Sequence, residues 1–214
     1  MALALIVFDC DGVLLESVDA KTRAFARIGR DFGQEAEDRL VLFHAMHGGV
    51  SRREKFAWLF TEVLGRTITD AEQEALCTKF VDYCFDEIRI CKLVPGVEEV
   101  LRTWHGRVPM YVASGAPHDE LHIVLKERGL AHYFEGIFGS PPGKTALLRN
   151  IVTATGADPA QTLMIGDSQT DLSAAEAVGT LFYGRGEYFK SSGQPWHHDL
   201  TALNAHLQAL ASAE

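Results

Sequence analysis

"LALIVFDCDGVLLES" occupies residues 3–17. Its first six residues are an unbroken apolar run with Ile and Val, and they lead straight into Asp9 and Asp11. A short continuous run of this kind reads as a strand buried on both faces, as in a parallel sheet. Carboxylates at the end of a buried strand are costly unless a counter-charge or a ligand compensates them. The pair therefore demands an explanation from the rest of the chain.

Working outward, four more runs resemble the first: "VPMYVA" at 108–113, "GIFG" at 136–139, "TLMI" at 162–165 and "TLFYG" at 180–184. Helical patterns lie between them. "PHDELHIVLKERGL" opens on Pro117 and closes on Gly129, while "KTALLRNIVTATG" and "SQTDLSAAEAVG" close on Gly156 and Gly179. Proline at the start and glycine just past the end are the expected helix punctuation. Alternating strand and helix predicts an α/β fold with a doubly wound, Rossmann-like parallel sheet.

Residues 15–93 break that alternation and read as helix throughout. "SRREKFAWLFTEVLG" carries Ser51 and Glu54 at capping-box spacing, and Thr69 and Glu72 repeat the device ahead of a long helical run. "LVPGVEEVLRTW" then restarts the helix feeding the second strand. The expected organisation is a core made of residues 1–14 and 94–214, with residues 15–93 inserted as a helical cap. The tail containing "SSGQPWHHD" reads as surface followed by one last amphipathic helix, and His197 and His198 there lack a third metal ligand. The aromatics of "FAWLF" and "FVDYCF" read as core.

The chain has 214 residues, is 47% hydrophobic and carries a formal net charge of −9. That composition affords a sizeable core and excludes disorder. An acidic protein lacks the basic face that nucleic acid or an anionic membrane requires. No run is long enough to span a bilayer, and the first apolar run has neither the basic flank nor the ending of a signal peptide. Cys10, Cys77, Cys84 and Cys91 form no CxxC pair, so they read as packed thiols of a reduced, cytoplasmic protein. A monomer or weak homodimer is expected.

Ligands of a parallel α/β sheet bind beyond the carboxyl ends of the strands. After the first strand come Asp9 and Asp11, after the second Ser114 and Gly115, after the third Lys144, and after the fourth Asp167, Ser168 and Asp171. Two unit charges 4 Å apart repel by about 4 kcal/mol at an effective dielectric of 20. Converging carboxylates therefore call for a divalent cation, and an all-oxygen set suits Mg²⁺. Lys144 and Ser114 offer the charge and the donor that a phosphate needs. With an ordinary carboxyl pKa, Asp9 is expected to be ionised at neutral pH and able to attack phosphorus directly. Asp11 can protonate the leaving alcohol and later take a proton from water.

These residues resemble the four motifs of the haloacid dehalogenase superfamily, in its phosphoglycolate phosphatase and β-phosphoglucomutase-like branch with a helical cap. "DCDGV" is similar to the nucleophile motif, "VASG" to the second, Lys144 to the third and "IGDSQTD" to the acidic fourth. The resemblance implies a Mg²⁺-dependent phosphatase of small phosphate monoesters, working through an aspartyl-phosphate, with a small phosphorylated metabolite as partner. It implies Asp9 as nucleophile and Asp11 as acid/base. It implies a metal held by Asp9, the Asp11 backbone carbonyl and Asp167, with Asp171 behind them. Ser114, Gly115 and Lys144 would hold the phosphoryl group, and Arg52, in "GGVSRREKF", the far part of the substrate. The cap is expected to close over the site.

Alternatives stand beside this reading. A phosphosugar mutase shares the motifs, although "IGDS" replaces the "EDS" of those mutases. A non-catalytic relative would keep the fold as a phosphate-binding module, yet every acid is intact. "GSPPGKT" approaches a nucleotide-binding loop, but it is one residue short between its glycines and Pro141 and Pro142 remove two N–H donors. Asp171, three residues after Ser168, also stands at capping-box spacing, so helix cap and site residue are both open. Arg52, Arg53 and Lys55 can equally be a solvated helix face. Glu16 stands where relatives have Asp.

Overall fold

The computed structural model describes residues 3–47 and 50–212. Gly48 and Gly49, at the head of the "GGVSRREKF" stretch, lie outside them. The chain divides into two compact units: residues 1–16 with 92–214, and residues 17–91.

The first unit is built on a six-stranded sheet, every neighbouring pair parallel. Its strands are β1 (Leu5–Phe8), β2 (Met110–Pro117), β3 (Gly136–Ser140), β4 (Thr162–Gly166), β5 (Leu181–Arg185) and β6 (Trp196–His197). The spatial order is β3-β2-β1-β4-β5-β6. All four residues of β1 are buried, because the strand is paired on both edges and covered on both faces. Leu5 and Val7 pack with Ala113, Met164 and Phe182. They meet Leu147, Leu148, Ile151 and Val152 of α7 (Lys144–Thr155) and Leu172, Ala174 and Ala175 of α8 (Gln169–Val178). Helices α7 and α8 end at Gly156 and Gly179, whose φ of +67° and +82° is the left-handed conformation glycine adopts most readily. The remaining helices of this unit are α5 (Val97–Trp104), α6 (His118–Glu127) and α9 (Leu203–Ser212).

Two expectations change here. The second strand does not stop at Ala113. It shifts register there and continues to Pro117, which pairs with Ser140. The stretch around "SSGQPWHHD" is not a bare surface tail either. Trp196 and His197 form a sixth strand on β5, with Gly184 N–H donating to Pro195 O at 2.8 Å and Gly186 N–H to His197 O at 2.8 Å. The imidazole of His197 lies 2.9 Å from Asp199 Oδ1.

The second unit is helical: α1 (Val18–Arg30), α2 (Gln34–Met46), α3 (Arg52–Trp58), a π-turn over Leu59–Val63, and α4 (Asp70–Ile90). Its core joins Ala24, Phe25, Ile28, Leu40, Phe56, Leu59, Phe60, Leu76, Phe80 and Cys84. Both capping boxes form. Ser51 Oγ accepts from Glu54 N–H and Ser51 N–H donates back to Glu54 Oε2; Thr69 and Glu72 do the same for α4. All four cysteines are free thiols. No helix among the described residues is long and apolar enough to cross a membrane.

Candidate active site

The sheet order reverses at β1: the chain builds β2 and β3 on one side of it and β4, β5 and β6 on the other. The carboxyl ends of β1 and β4 are level, because Phe8 pairs with Ile165 and Asp9 N–H donates to Ile165 O at 2.9 Å. Asp9 and Asp167 therefore emerge together at the switch point, where such sheets bind ligands.

Ligand oxygens of Asp9, Asp167 and Asp171 lie within 4.8 Å of one another. Lys144 Nζ stands 2.9 Å from Asp9 Oδ1 and also holds Asp171 Oδ1. Lys144 is the first residue of α7, the helix end where a cation opposes the backbone dipole. Its 7% exposed side chain is turned into the carboxylates, which outweigh that cost. Burial pulls its ammonium down, but Asp9 and Asp171 overcome this and hold it above its ordinary value.

Asp171 caps α8 with one carboxylate oxygen and meets Lys144 with the other. Oδ2 accepts from Asp167 N–H at 3.2 Å, Ser168 N–H at 3.0 Å and Ser168 Oγ at 2.6 Å, and Oδ1 faces Lys144. This requires a glycine before the acidic turn. A Cβ built on Gly166 would lie 2.2 Å from Asp171 Cβ and 2.5 Å from its Cγ. Ser114 is fully buried, and its Oγ accepts Ala116 N–H at 3.1 Å, leaving the hydroxyl proton to be donated. Gly115 is exposed, with open space where a side chain would point. Asp11 sits half-buried in the tight loop after β1, where Cys10 O accepts from the N–H groups of Val13, Leu14 and Leu15.

The ionisation of Asp9 departs from expectation. Burial, with Asp171, Asp167 and Asp11 adding to it against the pull of Lys144, pushes its carboxyl up to about 7. Asp167 is raised to about 6, by burial first and then by Asp171. Without a further cation the candidate nucleophile is only partly ionised at neutral pH. Asp9 Oδ1 is also buried without a hydrogen bond, with the Lys144 ammonium 2.9 Å away as its ion-pair partner. An orphaned buried carboxylate oxygen beside two more carboxylates is a donor set that fits a hard divalent cation. Asp171 already has both oxygens engaged, so Asp9 and Asp167 carry the open ones.

Arg185 was missed by the sequence reading, although it follows directly from the fifth predicted strand. It ends β5, donates from Nη2 to Glu16 Oε1 at 2.7 Å, and pulls on Asp167 electrostatically. Glu16 is thus the partner of a cation at the sheet's rim. Arg52 opens α3 in the helical unit, with its guanidinium 5.3 Å from the centre of the Phe80 ring. Of its basic neighbours only Arg53 behaves as a solvated face, paired with Glu74 at 2.8 Å; Lys55 is buried.

The family profile described as haloacid dehalogenase-like hydrolase matches residues 3–179. The chain belongs to that family. As a haloacid dehalogenase-like hydrolase it is 26% identical over 198 residues to the phosphoglycolate phosphatase of Pseudomonas putida, covering 89% of this chain and 72% of that one. It is 23% identical over 185 residues to the fructose-1-phosphate phosphatase YqaB of Escherichia coli, covering 81% and 92%. The crystal structure of β-phosphoglucomutase from Clostridium difficile superposes with a TM-score of 0.75 at 17% identity, covering 99% of this chain and 97% of that one, a likeness of fold alone.

Proposed function

We propose that this hydrolase is a phosphatase of small phosphate monoesters, with Asp9 as nucleophile. The observation that carries the reading is Asp9 itself: buried at the switch point, with one oxygen lacking a hydrogen bond and the Lys144 ammonium 2.9 Å away. The names of the relatives support small sugar phosphates or phosphoglycolate-like acids as substrates.

In this reading a carboxylate oxygen of Asp9 bonds to phosphorus as the ester P–O bond breaks. The departing alkoxide takes its proton from Asp11. Water then attacks the aspartyl-phosphate, Asp11 recovers a proton from it, and Asp9 and inorganic phosphate are released. Ser114 O–H, the open approach at Gly115 and the Lys144 ammonium receive the phosphoryl oxygens, while Asp171 fixes Lys144. Arg52 is the residue we assign to recognition of the rest of the substrate. Mg²⁺ is the cation we assign to Asp9, Asp167 and the Asp11 backbone carbonyl, with Asp171 behind them; when bound it would lower the Asp9 pKa and offset phosphate charge. A phosphatase is favoured over a mutase because position 166 is a glycine, where the mutases of this branch carry an acid. Free thiols suit a cytoplasmic setting.

The test is phosphate release from a panel of small monoesters, with and without Mg²⁺, by wild type and Asp9→Asn. Metal-dependent release that falls on the order of 10³-fold or more in the variant is expected. Release by Asp9→Asn near the wild-type rate would sink the nucleophile assignment, and interconversion of sugar phosphates without release would favour the mutase.

A further inference from the structure

Arg185 ends β5 at the carboxyl edge of the sheet, two strands away from β1. Its side chain reaches back to Glu16, which follows β1 in the chain, and Nη2 donates to Glu16 Oε1 at 2.7 Å. Its pull on Asp167 agrees with a path past the end of β4, the strand between. Among the described residues Glu16 is the one hydrogen-bond partner of this guanidinium, and Nε–H is buried without any. A buried donor left unpaired costs stability, and a partly exposed ion pair returns little of it. The two side chains are 21% and 37% exposed, so stability alone does not account for the arrangement.

The segment that Glu16 terminates does. Residues 10–15 form a loop closed on itself. Cys10 O accepts from the N–H groups of Val13, Leu14 and Leu15 at 3.3, 2.9 and 3.1 Å, and Gly12 N–H donates to Leu15 O at 2.8 Å. Asp11 and Leu15 pair across the loop as a parallel bridge. Its first end is fixed where Asp9 N–H meets Ile165 O. At its last end Val94 N–H donates to Leu14 O at 3.2 Å, and Glu16 N–H to Lys92 O at 3.0 Å. The Glu16 carboxylate ties that same end to β5 through Arg185. Because the loop is closed, a shift of residue 16 passes through Leu15 to Asp11. All of these groups belong to the first unit.

We propose, resting on the reading of Asp11 as the acid/base, that Arg185 is its positioning residue: by clamping Glu16 it holds the 10–15 loop in the shape that aims Asp11. Arg185 itself exchanges no proton and touches no reacting atom. A proton donor works only when its oxygen lies within hydrogen-bond reach of the departing one, so a small displacement of the loop is enough to weaken it.

Steady-state kinetics and amide hydrogen exchange of the full chain test this, on wild type, Arg185→Gln, Glu16→Gln and the double variant. The alkyl probes are phosphoglycolate and fructose 1-phosphate, whose leaving alkoxides need a proton; 4-nitrophenyl phosphate releases a stable phenolate without one. The ratio kcat/KM covers the steps up to departure of the leaving group. Each single variant should lose at least ten-fold more kcat/KM with the alkyl esters than with the aryl ester, a share of the roughly 10²–10⁴-fold that a positioned acid supplies. The double variant should be no worse than either single one, because both break one clamp. The amides of Val13, Leu14 and Leu15 should exchange at least ten-fold faster in each variant. Equal losses with both kinds of ester would make Arg185 a general strut and overturn the assignment. Additive losses in the double variant, or unchanged exchange at the three amides, would overturn it too. Should Arg185→Gln fail to fold, Glu16→Gln breaks the same clamp from its more exposed side and decides the matter. Hydrogen exchange needs no turnover. Absence of ester hydrolysis by wild type therefore counts against the phosphatase reading, while the three amides still decide the clamp.

Discussion

A carboxylate at a strand end acquires its character from what surrounds it. Asp9 and Asp167 have the same side chain and comparable places on adjacent strands, yet burial and Lys144 treat them differently. The sequence made the acids and Lys144 legible, because residues following parallel strands converge by topology. Nothing in it revealed that burial would outweigh Lys144 and leave Asp9 near neutrality, since desolvation depends on packing from distant segments. Gly166 and Gly115 show the same limit. Both adjoin site residues, but only Gly166 has Asp171 pressed against it. Gly166→Ala should therefore lower stability by about 1–3 kcal/mol, as overpacking does, and reduce turnover by displacing Asp171. Gly115→Ala, with nothing within 4 Å of the added carbon, should stay within about 0.5 kcal/mol of wild type. Urea denaturation of both variants checks this, and equal losses would contradict the crowding argument.

Elements were readable where local chemistry declares them. Ser51 with Glu54, and Thr69 with Glu72, announced the starts of α3 and α4 through a reciprocal hydrogen-bond pattern set only by spacing. The five longer strands carried enough apolar residues to register. β6 did not, since two residues with half-buried side chains have no periodicity, and only pairing with β5 makes them a strand. The burial of Lys55 was hidden for a related reason: on a charged helix a lysine resembles its solvated neighbours until α1 and α2 are placed around it. The caps give a prediction at this scale. Ser51→Ala and Thr69→Ala should each cost about 1 kcal/mol, the usual loss when a side-chain cap is removed. Denaturation followed by helical circular dichroism measures it, and an effect below about 0.2 kcal/mol for both would show that the helix starts are held by packing instead.

At the scale of the whole molecule, the two units place opposite demands on pH. In the first, Asp9 and Asp167 have folded pKa values near 7 and 6 against an ordinary 3.8. The unfolded chain releases those protons earlier, so their stabilisation is complete below about pH 4 and is lost as pH rises through 6 to 7. In the second, His44 is held near 4 against an ordinary 6.5. There the unfolded chain binds the proton first, so stability is lost as pH falls from about 6.5 towards 4. Tryptophan fluorescence can separate the two, because Trp58 lies in the helical unit and Trp104 and Trp196 in the other. In metal-free protein, variants retaining only Trp58 should show urea midpoints that fall on acidification. Those retaining only Trp104 and Trp196 should show midpoints that fall as pH rises from 4 to 7. Added Mg²⁺ should flatten the second curve, by favouring ionised Asp9 and Asp167, and leave the first unchanged. A single pH dependence shared by both probes, indifferent to metal, would refute this division and with it the metal assignment at Asp9 and Asp167.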